Sequence, residues 1–233
     1  MSDLTNIDVV ILCGGKGERL QSVLADKPKV LADINGKPFL DLLITNLKRF
    51  SFKRFILSVG YKREEVIEYF KDREDIVFSE EESALGTGGG LKKAEKLVTS
   101  DLFLAINGDS FCDLDFNKVF NFHQSKKAFT TLVLVKARES GDCGIVTLDD
   151  FGQIKDFSER ADSQKQGFMN AGIYFMEKTI FSYMPKGIFS LEYDLFPKLK
   201  NKNCFGYVTE QQLVDIGTPE RYEQAKKSLV VKN

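Results

Sequence analysis

The 233-residue sequence has no tryptophan, one histidine and only four cysteines. Cys13, Cys112, Cys143 and Cys204 are scattered, and no pair has the C-x-x-C spacing of a zinc or redox site. Cys13 and Cys112 sit in or beside apolar runs, where a thiol acts as a small hydrophobe, so reduced and buried cysteines are expected. Neither sign of charge is in excess: 33 Lys and Arg stand against 34 Asp and Glu, a formal net charge of −1. That balance argues against a nucleic-acid binder, while leaving room for a locally positive phosphate pocket. No apolar run approaches the roughly 20 residues that span a bilayer, and the first residues show no signal-peptide pattern. A cytoplasmic protein with no membrane partner is the expectation. Internal repeats and low-complexity linkers are also absent, and no hexapeptide repeats follow the tail, so no appended β-helix is expected.

What is present is an ordinary globular profile, 42% hydrophobic and 29% charged, long enough for one large α/β domain. The 20 phenylalanines belong mainly to its core. His123, in a phenylalanine-rich helical stretch, reads as a surface or packing residue without a role.

The first half alternates strands and helices. Ile7 to Cys13 is a β-branched run ending abruptly in glycines, as a buried parallel strand does. A helix over Phe39 to Leu47, with Pro38 at its start, precedes a strand over Phe55 to Val59. A helix over Glu64 to Phe70, a strand over Ile76 to Phe78, a helix over Leu91 to Leu97 and a strand over Leu102 to Ile106 follow. This order implies right-handed crossovers and a Rossmann-like, mostly parallel mixed sheet covered by helices on both faces. The second half is richer in β structure. Strands are expected over Thr130 to Val135 and Ala171 to Phe175. A hairpin joins Gly144–Leu148 to Gln153–Phe157 through a four-residue connection, and a terminal helix runs from Pro219 to Leu229. One domain over residues 1–233 is the simplest organisation, with a first half to about 125 and a smaller β-rich portion from about 126.

The strand at Ile7 runs directly into Gly14-Gly15-Lys16-Gly17-Glu18-Arg19-Leu20. Glycines let backbone N–H groups approach a ligand, successive amides form an anion site, and Lys16 and Arg19 bring positive charge. A dinucleotide fingerprint needs a third glycine where Leu20 stands, and a P-loop needs a Gly-Lys-Ser/Thr that is missing. On the glycines alone, a plain turn and a phosphate loop are equally good readings. Asn107-Gly108-Asp109 follows a strand at the end where open α/β sheets bind ligands. An aspartate there serves either as a turn residue or as a hard oxygen ligand for Mg²⁺.

The sequence resembles the sugar-1-phosphate nucleotidyltransferases, whose opening pattern is G-G-x-G-T-R-L, then P-K-P, then I/V-x-G-K-P. Gly14 to Leu20, Lys27-Pro28-Lys29-Val30 and Ile34-Asn35-Gly36-Lys37-Pro38 keep all but two of these positions. Glu18 replaces threonine and Val30 the second proline. Glu18 beside a polyphosphate is unfavourable unless it points away or pairs with Arg19. Leu85-Gly86-Thr87-Gly88-Gly89 is similar to the family's base- and ribose-contacting loop, and Glu80 or Glu81 is placed to accept from a guanine edge, a solvated acidic run being the plain alternative. Asp109 and Asp215, the latter in Asp215-Ile216-Gly217-Thr218-Pro219, match the family's two metal-holding contexts. Phe157-Ser158-Glu159-Arg160 and Asn170-Ala171-Gly172-Ile173-Tyr174 resemble its sugar-contacting segments, and Ser190-Leu191-Glu192 a further S-x-E element.

The resemblance, from about Ile7 to Tyr222, implies transfer of a nucleotidyl group from a nucleoside triphosphate to a sugar 1-phosphate, with Mg²⁺ as cofactor. It assigns catalysis to Arg19, Lys29 and Asp109, and the metal to Asp109 and Asp215. The nucleotide falls to Leu12, Gly14, Gly15, Gly17, Glu80, Gly86, Thr87, Gly88 and Asn107. The sugar phosphate falls to Gly144, Glu159, Arg160, Asn170 and Gly172. The short length, Leu85 to Gly89 and Asn107-Gly108-Asp109-Ser110-Phe111 most resemble guanylyltransferases acting on D-glycero-α-D-manno-heptose 1-phosphate in surface-polysaccharide assembly, with GTP as the favoured donor. Mannose-1-phosphate guanylyltransferases and short uridylyltransferases are the near alternatives. A glycosyltransferase using Asp113-Leu114-Asp115 as a D-x-D metal motif is the distant one, and a homo-oligomer stays open.

Overall fold

The computed structural model describes residues 3–24, 26–136, 145–158, 167–199 and 202–229. In chain order, β1 (Asp8–Cys13) leads through the glycine loop to the short helix α1 (Gln21–Leu24). A small hairpin, β2 (Asp33–Ile34) and β3 (Lys37–Pro38), precedes α2 (Phe39–Lys48). β4 (Phe55–Val59), α3 (Arg63–Phe70), β5 (Ile76–Glu80), α4 (Gly86–Ala94) and β6 (Leu102–Asn107) complete an alternating first half. β7 (Ser110–Cys112) and α5 (Phe116–Lys126) lead to β8 (Thr130–Lys136). β9 (Ile145–Leu148) and β10 (Ile154–Ser158) precede the ten-residue β11 (Phe168–Glu177). Then come β12 (Cys204–Thr209), β13 (Leu213–Asp215) and α6 (Pro219–Ser228).

Nine of these strands form one sheet in the order β10-β9-β11-β6-β1-β4-β5, with β8 paired to both β11 and β12. β1 lies parallel between β4 and β6, and β4 lies parallel to β5. β11 runs antiparallel to β6, β8 and β9, which makes the sheet mixed. Successive residues of β1 serve opposite faces, as strand geometry requires. Val9 and Ile11 pack with Leu40, Leu43 and Leu47 of α2 and Phe116 of α5. Val10 packs on the other face with Leu91 and Ala94 of α4, and with Phe181 and Leu195. A third, smaller core of Leu20, Phe39, Ile216 and Tyr222 seats α6.

The hairpin closes through five residues, 149–153, rather than four, because Asp149 Oδ1 accepts from both Phe151 N–H and Gln153 N–H. The lysine-rich helix begins five residues earlier than its apolar spacing predicts, so Gly86 to Gly90 are helical. Close packing explains glycine there: a Cβ on Gly88 would lie 2.1 Å from the Phe189 ring, and one on Gly90 2.7 Å from Glu81 Oε1. β7, β12 and β13 add to the strands expected from the sequence. His123 is a packing residue, 1% exposed, with Nδ1 2.9 Å from Thr131 Oγ1. Cys13, Cys112 and Cys204 are buried free thiols, and burial pushes Cys112 and Cys204 up to about 12. Among the described residues, no helix is long and apolar enough to cross a membrane.

Candidate active site

The carboxyl ends of β1 and β6 open onto a cleft of about 280 Å³. Leu12, Gly14, Gly15, Lys29, Gly86, Thr87, Asn107 and Asp109, all expected at the site, line it. Larger depressions lie beside His123 and Lys127, at about 560 Å³, and beside Arg49 and Leu229, at about 590 Å³, but neither includes the glycine loop. Among the described residues, the glycine loop, Lys29 and Asp109 meet at the smaller cleft, at the sheet's switch between β1 and its two neighbours.

Glu81, not Glu80, faces this cleft. Along the extended chain at the end of β5, Ser79 and Glu81 are buried while Glu80 turns outward, 53% exposed and 3.5 Å from Arg63 Nε. Glu81 Oε1 accepts from Ser58 Oγ at 3.0 Å and Oε2 from Leu85 N–H at 3.2 Å. Burial holds the Glu81 carboxyl above the usual carboxylate range, although both hydrogen bonds oppose it. A Cβ on Gly14 would stand 2.6 Å from Glu81 Oε1. The glycine loop and the entry to α4 therefore close around one buried carboxylate, and the loop's first glycine is needed for that approach.

Lys29 follows Pro28 in a single 3₁₀ turn, Lys29–Leu31. Its Nζ lies 2.5 Å from Asp109 Oδ2, with the two side chains 12% and 35% exposed. Gly17, at φ +63°, passes over the Lys29 stem; a Cβ there would be 2.9 Å from Lys29 Cβ. Gly17 thus supports Lys29 rather than lining the cleft. Glu18 points outward, 77% exposed, and its carboxylate is 3.4 Å from Lys16 Nζ. The expected conflict between Glu18 and a polyphosphate is removed by that orientation.

Asp215 arrives beside Asp109 through a long-range pairing. β13 runs antiparallel to β7, with Asp215 opposite Ser110, and Ile216 N–H donates to the Asp109 carbonyl at 3.1 Å. Asp215 Oδ1 accepts from Gly217 N–H at 3.0 Å and Arg221 Nη1 at 3.3 Å. Arg19 lies outside the cleft lining and approaches the same corner, its Nη2 3.8 Å from where a Gly217 Cβ would sit. Among the described residues, no group of three or more His, Cys, Asp or Glu is placed to hold a metal.

On the acceptor side, β11 changes register between Asn170 and Tyr174. Gly172 adopts φ +72° at this irregularity, and a Cβ would lie 2.4 Å from Asn107 Nδ2. The bulge brings Asn170 and Gly172 next to the wall of the cleft formed by Asn107. The Asn107 carboxamide Oδ1 is buried and has no hydrogen-bond partner among the described residues. Buried acceptors are normally paired, and this one is left open beside the cleft. Gly88 packs under Phe189 instead of lining the cleft. Gly144, Glu159 and Arg160 lie outside the described residues.

Asp113 and Asp115 do not form a D-x-D metal site. Asp115 accepts from Asn117 N–H at 3.1 Å and Lys118 N–H at 3.4 Å as the N-cap of α5. Asp113 is 68% exposed and 3.8 Å from Arg49. The cleft instead offers the glycine-loop backbone and Lys29, groups that can face an anion, with Asp109 at its edge and Asp215, like Arg19, outside its lining.

A family model for nucleotidyl transferases matches residues 8–231. The D-glycero-α-D-manno-heptose 1-phosphate guanylyltransferase of Campylobacter jejuni is 38% identical, covering 93% of this chain and 97% of the relative. The enzyme of the same name from Aneurinibacillus thermoaerophilus is 36% identical, covering 96% and 98%. A crystal structure of HddC from Yersinia pseudotuberculosis complexed with GMP-PN superposes with a TM-score of 0.83 at 34% identity, over 95% of this chain and 98% of that one. Sugar nucleotidyltransferases are generally dependent on a divalent metal. With the model and the relatives aligned across almost its whole length, the chain belongs to the nucleotidyl transferase family.

Proposed function

We propose that this chain transfers GMP from GTP to D-glycero-α-D-manno-heptose 1-phosphate, releasing pyrophosphate and a GDP-heptose for surface-polysaccharide synthesis. The observation that carries this reading is the convergence of Gly14, Gly15, Lys29, Asp109 and Thr87 on one cleft, in a chain 38% identical to a heptose 1-phosphate guanylyltransferase. Residues 1–125 form the nucleotide half and 126–233 the acceptor half of one domain in this reading.

The acceptor phosphate is already an anion at neutral pH, so no group is needed to activate it. Its oxygen attacks the α-phosphorus, the P–O bond to the β-phosphate breaks, and pyrophosphate leaves with the bonding pair. Catalysis then consists of bringing two anions into line and neutralising the charge on the transferring phosphate. Gly14 and Gly15 offer amides to the triphosphate, Lys29 and Arg19 offer positive charge, and Glu81 reads the guanine N–H edge. Asn107 stays with the nucleotide, Asn170 and Gly172 face the acceptor, and Glu159, Arg160 and Gly144 complete that side by resemblance.

Asp109 and Asp215 fit a Mg²⁺ ion: both present hard oxygens from adjoining chain segments, and Mg²⁺ is commonly held by one or two carboxylates together with substrate phosphates. Held there, the ion would supply positive charge to the substrate phosphates. Lys29, 2.5 Å from Asp109 Oδ2, orients that carboxylate at the end of β6.

A panel of the four nucleoside triphosphates against heptose, mannose and glucose 1-phosphates, read by pyrophosphate release, tests the proposal. Release is expected only with GTP and fastest with the heptose. A preference for UTP or for mannose 1-phosphate contradicts the substrate assignment.

A further inference from the structure

We infer that Glu192 is a positioning residue that couples the nucleotide loop to the acceptor strand, so that each substrate strengthens binding of the other. The inference rests on the two-substrate reading of the cleft. Glu192 follows Ser190 in a single π-turn, Leu191–Leu195, which folds back against the start of α4. Phe189 anchors the return, its carbonyl accepting from Gly88 and Gly89 N–H at 3.0 and 3.2 Å.

Both carboxylate oxygens of Glu192 are engaged, and on different sides. Thr87, which lines the nucleotide cleft, donates its hydroxyl to Oε2 at 2.8 Å, and Ser190 Oγ donates to the same oxygen at 2.8 Å. Tyr174 donates its phenol to Oε1 at 2.9 Å. Tyr174 is fully buried on β11, and its oxygen accepts from Asn170 Nδ2 at 2.7 Å. Asn170 Oδ1 in turn accepts from Gly172 N–H at 3.0 Å, at the bulge facing Asn107. One continuous chain of hydrogen bonds thus runs from Thr87 through Glu192, Tyr174 and Asn170 to Gly172.

The polarity of the chain is fixed by the Glu192 carboxylate, which can only accept; Thr87 Oγ1 donates to it while accepting from Leu191 N–H at 3.0 Å. A carboxylate can accept on both arms; an amide can accept on one and must donate on the other. Glu192→Gln therefore breaks one arm while preserving size, and Tyr174→Phe removes the link to Asn170 while preserving the ring. Ordering of Thr87 by nucleotide lowers the cost of ordering Asn170, which is positive coupling between two sites.

The test uses the full chain and titration calorimetry with the sugar 1-phosphate, with and without a GTP analogue carrying a methylene bridge between the α and β phosphorus. In the native protein the analogue is expected to tighten acceptor binding about fivefold or more. In folded Glu192→Gln and in Tyr174→Phe that factor is expected to fall close to one, with KM for the acceptor raised more than kcat is lowered. A purely structural role lowers thermal stability or both affinities and leaves their ratio unchanged, which overturns the inference, as does a native coupling factor near one. Failure of the native protein to release pyrophosphate from any substrate pair counts instead against the function proposed above.

Discussion

Lys29 Nζ and Asp109 Oδ2 lie 2.5 Å apart across 80 residues of sequence, one after the glycine loop and the other at the end of β6. The pair joins the glycine-loop side of the cleft to its β6 side. Lys29 is the less exposed partner, at 12% against 35%, because Gly17 passes directly over its stem. The lysine is thereby held with its ammonium at the mouth of β1, where a phosphate on the Gly14 and Gly15 amides would lie.

Lys29→Ala is expected to lower kcat/KM by roughly 10²–10³-fold, the loss seen when a preorganised electrostatic donor is removed. Lys29→Arg is expected to restore part of it, because charge is kept and geometry is not. Steady-state pyrophosphate release reads both. Wild-type turnover in Lys29→Ala is incompatible with the role assigned to it.

Gly88→Ala is expected to destabilise the fold by about 1–3 kcal/mol, since the new methyl meets the Phe189 ring at 2.1 Å. Phe189 is 6% exposed and cannot swing freely into solvent. Combining Gly88→Ala with Phe189→Leu is expected to recover part of the loss in urea unfolding. Additive losses in the double variant contradict the direct contact.

Asp115→Ala is expected to cost about 0.5–2 kcal/mol as a lost helix cap, while Asp115→Asn costs much less. Metal-dependent turnover is expected to survive both, because Asp115 caps α5 and does not line the cleft. Abolished turnover in a folded Asp115→Asn protein revives the D-x-D reading.

The fold and the nucleotide side of the site were legible for physical reasons. A parallel strand buried on both faces reads as an unbroken apolar run, and Ile7 to Cys13 ending in glycines is such a run. β13 is three residues long and pairs with β7 a hundred residues earlier, so nothing local could announce it. Asp215 was reached only by resemblance. Parity could not separate Glu81 from Glu80, because Glu80 shares its strand face with Ile76 and Phe78 of the core; only the fold shows Ser79 and Glu81 buried and Glu80 turned outward. The early start of α4 was masked because glycine opposes helix on propensity, and only packing against Phe189 and Glu81 explains it. The Glu192 network joins residues far apart in sequence and leaves no local trace beyond Ser190-Leu191-Glu192.

His123 supplies a pH prediction. Burial depresses its imidazole from 6.5 to about 4, with Thr131 at Nδ1 and Glu177 Oε1 3.5 Å from Nε2. The folded state therefore favours the neutral ring, so its contribution is fully present above pH 6.5 and is lost as pH falls toward 4. Between pH 7 and pH 5 the native protein is expected to lose roughly 2 kcal/mol more than His123→Gln in urea unfolding. Parallel pH profiles for the two proteins contradict a neutral, buried His123.

Position-labelled GTP distinguishes nucleotidyl transfer at the α-phosphorus from hydrolysis or transfer of the γ-phosphate. With D-glycero-α-D-manno-heptose 1-phosphate and Mg²⁺, label at the α-phosphorus is predicted to appear in the sugar nucleotide, and label at the γ-phosphorus in pyrophosphate. Label from the γ-phosphorus in inorganic phosphate or on the sugar, with the α-label left in GDP, contradicts the account.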